Sequence, residues 1–109
     1  MMIMSKIDID DLTGNGKVHT LSGHSKGLAA RKKFDLDELD RENAIVDVVV
    51  PDHLFSLSPS FVQGLFTASV RFFGNSRERF FAHYNFHASD LAMRQINRGM
   101  DAILTNRSL

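Results

Sequence analysis

An α/β fold, built as a small mixed β-sheet packed with helices, is what this sequence predicts, and three features predict it. Residues 45–50 read Ile-Val-Asp-Val-Val-Val, an apolar and mostly β-branched run of strand length. Two later stretches, 59–73 and about 90–104, space their apolar residues by three and four, as an amphipathic helix does. Strand-like and helix-like stretches follow one another as β-β-α-β-α-α-β-α without a repeat or low-complexity tract, which implies a sheet with helices against it.

The bulk numbers suit one domain over residues 1–109. Of 109 residues, 43% are hydrophobic and 24% charged, the balance of a soluble globular chain. Nine Phe against one Tyr and no Trp point to a Phe-rich core. No apolar run approaches the ~18 residues of a membrane span. Residues 1–6 lack the apolar centre of a signal peptide, so a cytoplasmic location is expected. The absence of Cys excludes disulfides, Cys-ligated zinc and thiol catalysis. Net charge is zero, which gives no general reason to expect nucleic acid or an anionic membrane as partner. The charge is uneven, however. Residues 1–54 hold seven basic and ten acidic side chains, residues 55–109 six arginines and three acids, and every basic residue after Lys33 is Arg.

Each element has a local reason. Ile7-Asp8-Ile9-Asp10 alternates with period two, and Asn15-Gly16 stands before Lys17-Val18-His19-Thr20-Leu21. Asn-Gly is a strong hairpin signal because both residues accept positive φ. An N-terminal hairpin over 5–22, with strands near 5–12 and 17–22, is therefore expected ahead of a core over 23–104. Gly14-Asn15-Gly16-Lys17 is not a phosphate loop, since the spacing is wrong and Val18 stands where Ser or Thr is required. Ser25 is expected to cap a short helix through Arg31, and Asp35 a second one with Leu36 and Leu39 facing inward. The acids of that second helix read as a solvated face rather than a metal site. After the strand at 44–50, helix 59–73 aligns Phe61, Val62, Leu65, Phe66, Val70 and Phe73 on one stripe and leaves Phe72 off it. Burying each large side chain of that stripe contributes about 1.5–3 kcal/mol before entropy. Gly74-Asn75 is a helix stop. Ser76 caps a short helix over 77–83, Tyr84-Asn85-Phe86 is the last strand, and Ser89 or Asp90 opens the final helix.

The junction between the central strand and helix 59–73 carries the candidate site. It delivers Ser58 and Ser60 to a helix N-terminus, where unpaired N–H groups and the helix dipole favour negative charge. Ser58 precedes Pro59, a residue favoured at the first helical position, and Ser60 with Gln63 has the spacing of a capping box. Either serine can cap the helix or take a phosphate, which adds about −1.5 to −2 charge at a tolerant position. Ser58 and Ser60 are the candidate switch residues. Asp52, His53 and Phe72 form the candidate interaction surface, and Asp47 and Asp52 are expected to shape the surroundings of the serines. His83, His87 and Asp90 would form a metal edge only on one continuous helix, which Asn85 and the aromatic flanks argue against, so no metal or cofactor is expected. Ser60, His83 and Asp47 supply the residue types of a hydrolytic triad, but the Gly-x-Ser-x-Gly elbow is absent and no enzyme is expected.

At Val46-Asp47, Ser60-Phe61 and Gly64-Leu65-Phe66 the chain resembles the STAS-like domains of unknown function, relatives of the sulfate-transporter and anti-sigma-factor-antagonist domain. Gly27-Leu28-Ala29-Ala30-Arg31 upstream, and Phe73-Gly74 with Phe80 downstream, extend the resemblance over roughly residues 22–104. It implies a STAS-like sheet and a non-enzymatic, partner-switching role. In such systems a GHKL-type ATPase phosphorylates a serine at the start of the helix after a central strand, and helix-turn-helix transcription regulators are frequent associates. This chain departs from the usual Asp-Ser-Ser/Thr-Gly phosphosite, with Leu57-Ser58-Pro59-Ser60-Phe61 in its place.

The expected function is thus a cytoplasmic protein-interaction module of a bacterial or phage regulatory system. One alternative is a nucleic-acid-associated factor using Arg71, Arg77, Arg79, Arg94 and Arg98. The domain is not basic, and most of the interleaved Phe residues have core spacing, so that reading ranks below the first. Another alternative is a small steric inhibitor of a larger enzyme. A homodimer through an edge strand of the small sheet is compatible with each.

Overall fold

The computed structural model describes residues 5–14 and 16–105. In chain order the elements are β1 (Ser5–Asp8), a turn of 3-10 helix (Ile9–Leu12), β2 (Thr20–Leu21), α1 (His24–Lys33), α2 (Leu36–Arg41), β3 (Val46–Val49), β4 (Ser56–Leu57), α3 (Pro59–Phe72), α4 (Arg77–His83), β5 (Tyr84–His87) and α5 (Asp90–Thr105). The α/β class therefore holds. The pairing differs from expectation: both sheets are parallel throughout, one ordered β1-β3-β5 and the other β2-β4. The hairpin over 5–22 does not form. β1 pairs with β3, while β2 pairs with β4, and the two strands of the supposed hairpin lie in different sheets. Asn15 lies outside the described residues. The physical reason starts at Ile9, where alternation gives way to a 3-10 turn with Asp8 Oδ1 accepting from Asp10 N at 3.0 Å and Thr13 Oγ1 donating to Asp10 O at 2.9 Å. That turn directs the chain away before it can fold back on β1.

The order β1-β3-β5 advances in one direction. Right-handed crossovers that advance one way put all connecting helices on the same side of a sheet. The burial agrees. Ile7, Val46, Val48 and Tyr84 point to the helices and are buried, while Lys6, Asn85 and His87 on the other face are exposed. Parallel sheets are usually covered on both faces, and this one is polar where it is not covered.

The core lies between the sheet and α3. Val48, Phe61, Val62, Leu65, Phe66, Val70, Phe80, Tyr84, Ile96 and Met100 are all buried, with Phe66 and Phe80 in edge-to-face contact at 5.1 Å. The Phe-rich core is thus present. Gly27 and Gly64 set how α1 meets α3. A Cβ at Gly27 would stand 2.2 Å from Phe61 O, and one at Gly64 would stand 2.2 Å from His24 O. The two backbones touch at this crossing, and no side chain fits there.

Helix starts follow the capping rules with two changes. Ser76 Oγ accepts from Arg79 N and Ser89 Oγ accepts from Ala92 N, as predicted. α1, by contrast, starts at His24 after Gly23, so Ser25 is inside the helix and does not cap it. Asp35 occupies the N-cap of α2 in left-handed geometry without a side-chain cap bond. Gly74 and Asn75, at φ 75 and 58, end α3 where the sequence places the stop. Among the described residues, no helix is long and apolar enough to cross a membrane.

Candidate functional site

Loop 51–58 leaves β3 at the carboxyl end of the parallel strands, the end at which open α/β sheets present their binding loops. Leu54 is buried and anchors it. Phe55 N and Ser56 N donate to His19 O at 2.8 and 3.3 Å, and Leu57 N donates to the Gln95 side chain at 2.6 Å. The loop is therefore held from β2 on one side and α5 on the other. Phe55 nevertheless points outward. It is 63% exposed and stacks on His19, with ring centroids 5.3 Å apart. Asp52 is exposed beside it. Sequence reasoning missed Phe55, because a Phe directly after Leu54 has the hydrophobicity of a core residue.

His53 is half-buried. Its Nε2 donates to Asp10 Oδ1 at 2.7 Å, and Asp10 also accepts from Thr13 Oγ1 at 2.6 Å. Those two bonds, Thr13 first and His53 second, hold the Asp10 carboxyl below its ordinary range. His19 Nδ1 donates to His53 O at 3.0 Å. His53 thus clamps loop 51–58 to the turn at Asp10–Thr13.

The two serines have separate jobs. Ser58 is the N-cap of α3: its Oγ accepts from Phe61 N at 3.1 Å and from Gly23 N at 3.3 Å. It thereby ties the start of α3 to the start of α1. Ser60 lies in the first turn, with its Oγ 3.0 Å from Ser58 Oγ, and makes no capping bond. The capping box expected from Ser60 and Gln63 is not formed.

Phe72 is not part of this surface. It is 52% exposed, as its position off the stripe requires, but it lies at the far end of the 14-residue helix α3. At ~1.5 Å per residue the two ends are about 20 Å apart. Phe72 lines a separate shallow groove of about 470 Å³ with Arg41, Asn43, Phe73, Arg79 and His83. Asp47 is also elsewhere. It stands on the uncovered face of the sheet, where Asn85 Nδ2 donates to Oδ1 at 3.1 Å and His87 Nε2 lies 3.0 Å from the same oxygen. The His87 and Asn85 contacts, in that order, lower the Asp47 pKa. Because α3 packs on the opposite face, Asp47 does not shape the surroundings of Ser58 and Ser60.

The remaining constellations come apart in the same way. His83 ends α4 and donates to Leu39 O at 2.7 Å, whereas His87 ends β5, so the two never share a helix edge. Among the described residues, no group of three metal-ligating side chains comes together. Arg77 is held by Asn97 and Asp101, and Phe80 is fully buried, which removes both from an arginine and aromatic surface.

One polar cluster was not foreseen. Arg31, Asp40, Ser69 and Tyr84 are all buried. Arg31 donates to Asp40 Oδ2 at 2.8 Å, to Ser69 Oγ at 2.7 Å and to Leu65 O at 3.1 Å, and its outer nitrogen also reaches Asp37 at 2.6 Å. Asp40 Oδ1 accepts from Ser69 Oγ at 2.6 Å and from the Tyr84 hydroxyl at 2.5 Å. Burial and the adjacent Asp40 carboxylate push the Tyr84 pKa well above the ordinary phenol value. The cluster joins α1, α2, α3 and β5 through fully satisfied bonds. Asp40 is therefore not part of a solvated acidic face. The available signal was its spacing: Leu36 and Asp40 are four apart and share the inward side of α2.

Comparison with protein-family models, with curated proteins and with solved structures finds no match to this chain.

Proposed function

We propose that this chain is a non-enzymatic protein-recognition module, with loop 51–58 and the first turn of α3 as its contact surface. The observation that carries the reading is Phe55, a large apolar side chain held outward on a loop that is otherwise pinned at both ends. An exposed aromatic on a rigid support, next to charged Asp52 and polar His53, has the composition of an interaction hot spot. The resemblance to STAS-like domains supports a partner-switching role with a GHKL-type ATPase as partner. Within that role the serines divide the work. Ser58 is engaged as the cap, and Ser60, half-buried in the first turn but outside the capping bonds to backbone N–H groups, is the better acceptor for a regulatory phosphate. Added charge there meets the positive end of the α3 dipole, so it can alter the contact surface without unfolding the helix.

The test is capture of partners from the native host with and without ATP, using wild type, Phe55→Ala, Ser60→Ala and Phe72→Ala, with a phosphate search over residues 56–60. An ATPase retained by wild type and Phe72→Ala, and lost with Phe55→Ala, supports the reading. Equal retention by wild type and Phe55→Ala sinks it. An unmodified Ser60 with Phe55-dependent retention keeps the recognition surface and removes the phosphate switch.

A further inference from the structure

A second surface is built differently. Between α1 and the residues Leu12, Val18 and Leu21 lies a groove of about 270 Å³, floored by Leu12, Leu21, Ala30 and Phe61. Val18, 41% exposed, forms one lip. Lys26 and Lys33 of α1 stand at its edges. They are seven residues apart, hence two helical turns and about 10 Å along one side of α1. None of the ion pairs among the described residues uses a lysine. Among the described residues these two charges have no ion-pair partner, and the one hydrogen bond to either is a long one from Lys33 Nζ to Asp11 O at 3.4 Å.

We propose that this groove docks an acidic amphipathic helix of a protein partner, with one large apolar side chain in the groove and carboxylates over Lys26 and Lys33. The geometry selects that chemistry. Carboxylates seven residues apart on a partner helix have the same ~10 Å separation as the lysines, and the third or fourth residue between them faces the groove. Helix-in-groove docking lays an apolar face into such a groove, and complementary charge beside it sets register and selects the partner. The open side of the groove suits an inserted side chain better than a small ligand, which needs about 70–90% of its surface enclosed. Phe61, in the first turn of α3, is the one residue shared with the first surface, whereas Asp52, His53 and Phe55 do not line this groove, so the inference does not rest on the role given to loop 51–58.

The experiment selects a displayed library of random peptides on the intact protein, then measures the enriched peptides by fluorescence anisotropy. The expected result is enrichment of acidic peptides with a central Leu, Ile, Met or Phe. Their affinity should fall about tenfold with Lys26→Glu/Lys33→Glu, and fall again with added salt. Phe55→Ala should leave it unchanged. Both lysines are exposed and without ion pairs, so thermal melts should show the double variant folded. Val18→Ser, which keeps the charges and weakens the apolar lip, should also reduce affinity. Three results overturn the proposal: no enrichment, enriched peptides without acidic excess, or affinity that survives the double reversal. Stronger binding of dodecanoate than of any peptide, at the same lysines, overturns the protein-partner assignment in favour of an amphiphilic anion.

Discussion

Two kinds of carboxylate site coexist in this molecule, and they differ in what water can reach. Asp40 is enclosed by Arg31, Ser69 and Tyr84, and all four are buried. Asp10 with His53, and Asp47 with His87, make bonds of similar length on the surface. Similar geometry does not mean similar energy. A buried pair has lost its water, so removing one partner leaves a charge with nothing to replace it. An exposed pair that loses a partner is rehydrated, and its bond is worth little. The buried cluster is thus a structural tie across four elements, and the surface pairs are local clamps on loops.

The largest effects should come from breaking the buried tie. Asp40→Ala or Arg31→Ala should each cost about 3–5 kcal/mol, read as a fall in the urea midpoint. Arg31→Met/Asp40→Leu, which removes both charges and keeps volume, should be less damaging than either alanine variant. A double variant as unstable as the sum of the singles contradicts the coupled-pair account. Gly64→Ala tests the adjacent helix crossing. A Cβ there meets the His24 carbonyl and the Leu28 nitrogen, both backbone, so a loss of about 1–3 kcal/mol or more is expected in the same assay.

Tyr84 gives the comparison a pH signature. Its folded pKa is raised above the ordinary value of 10.0 by burial and then by Asp40. The stability this contributes is complete below the unfolded pKa and is lost as pH rises past it, because only the unfolded chain readily releases the proton. Urea midpoints should therefore fall progressively as pH rises above about 10, and fall less steeply in Tyr84→Phe. Identical alkaline slopes for the two proteins would remove Tyr84 from the tie.

The cap ranks next. Ser58→Ala should cost about 1 kcal/mol, within the usual range for an N-cap, and Ser60→Ala clearly less, because only Ser58 Oγ accepts from Phe61 N and Gly23 N. Equal losses would erase the division of work between the two serines. The smallest effect belongs to the surface pairs. Asp10 and Asp47 have lowered pKa values, so their contribution is present above the ordinary carboxylate value of 3.8 and disappears as pH falls through the folded value. His87→Ala should make the acid limb of the melting-temperature profile slightly shallower and leave the neutral plateau in place. A large shift at pH 7 would mean that Asp47 and His87 are less solvated than the open sheet face indicates.

Residue patterns alone determined much of this protein. The β-branched run at 45–50, the stripe from Phe61 to Phe73, the Gly74-Asn75 stop, the Ser76 cap and the outward position of Phe72 are local properties of period and backbone geometry. They carry from sequence to structure because neighbouring residues decide them. Partnership was decided only by the tertiary structure. Asn15-Gly16 favours a hairpin locally, yet β1 gains more by pairing with β3 inside the sheet, where Ile7 is buried beside Val48. Asp40 is one acid among several until α2 packs against α3 and turns it toward Arg31. Phe55 has the hydrophobicity of a core residue, but the bonds from His19 and Gln95 fix its loop with the ring outside. Ser58 caps the helix that ends at Phe72, and the length of that helix separates them. Burial, strand pairing and distance between surfaces depend on contacts far apart in the chain, which a reading of local pattern does not contain.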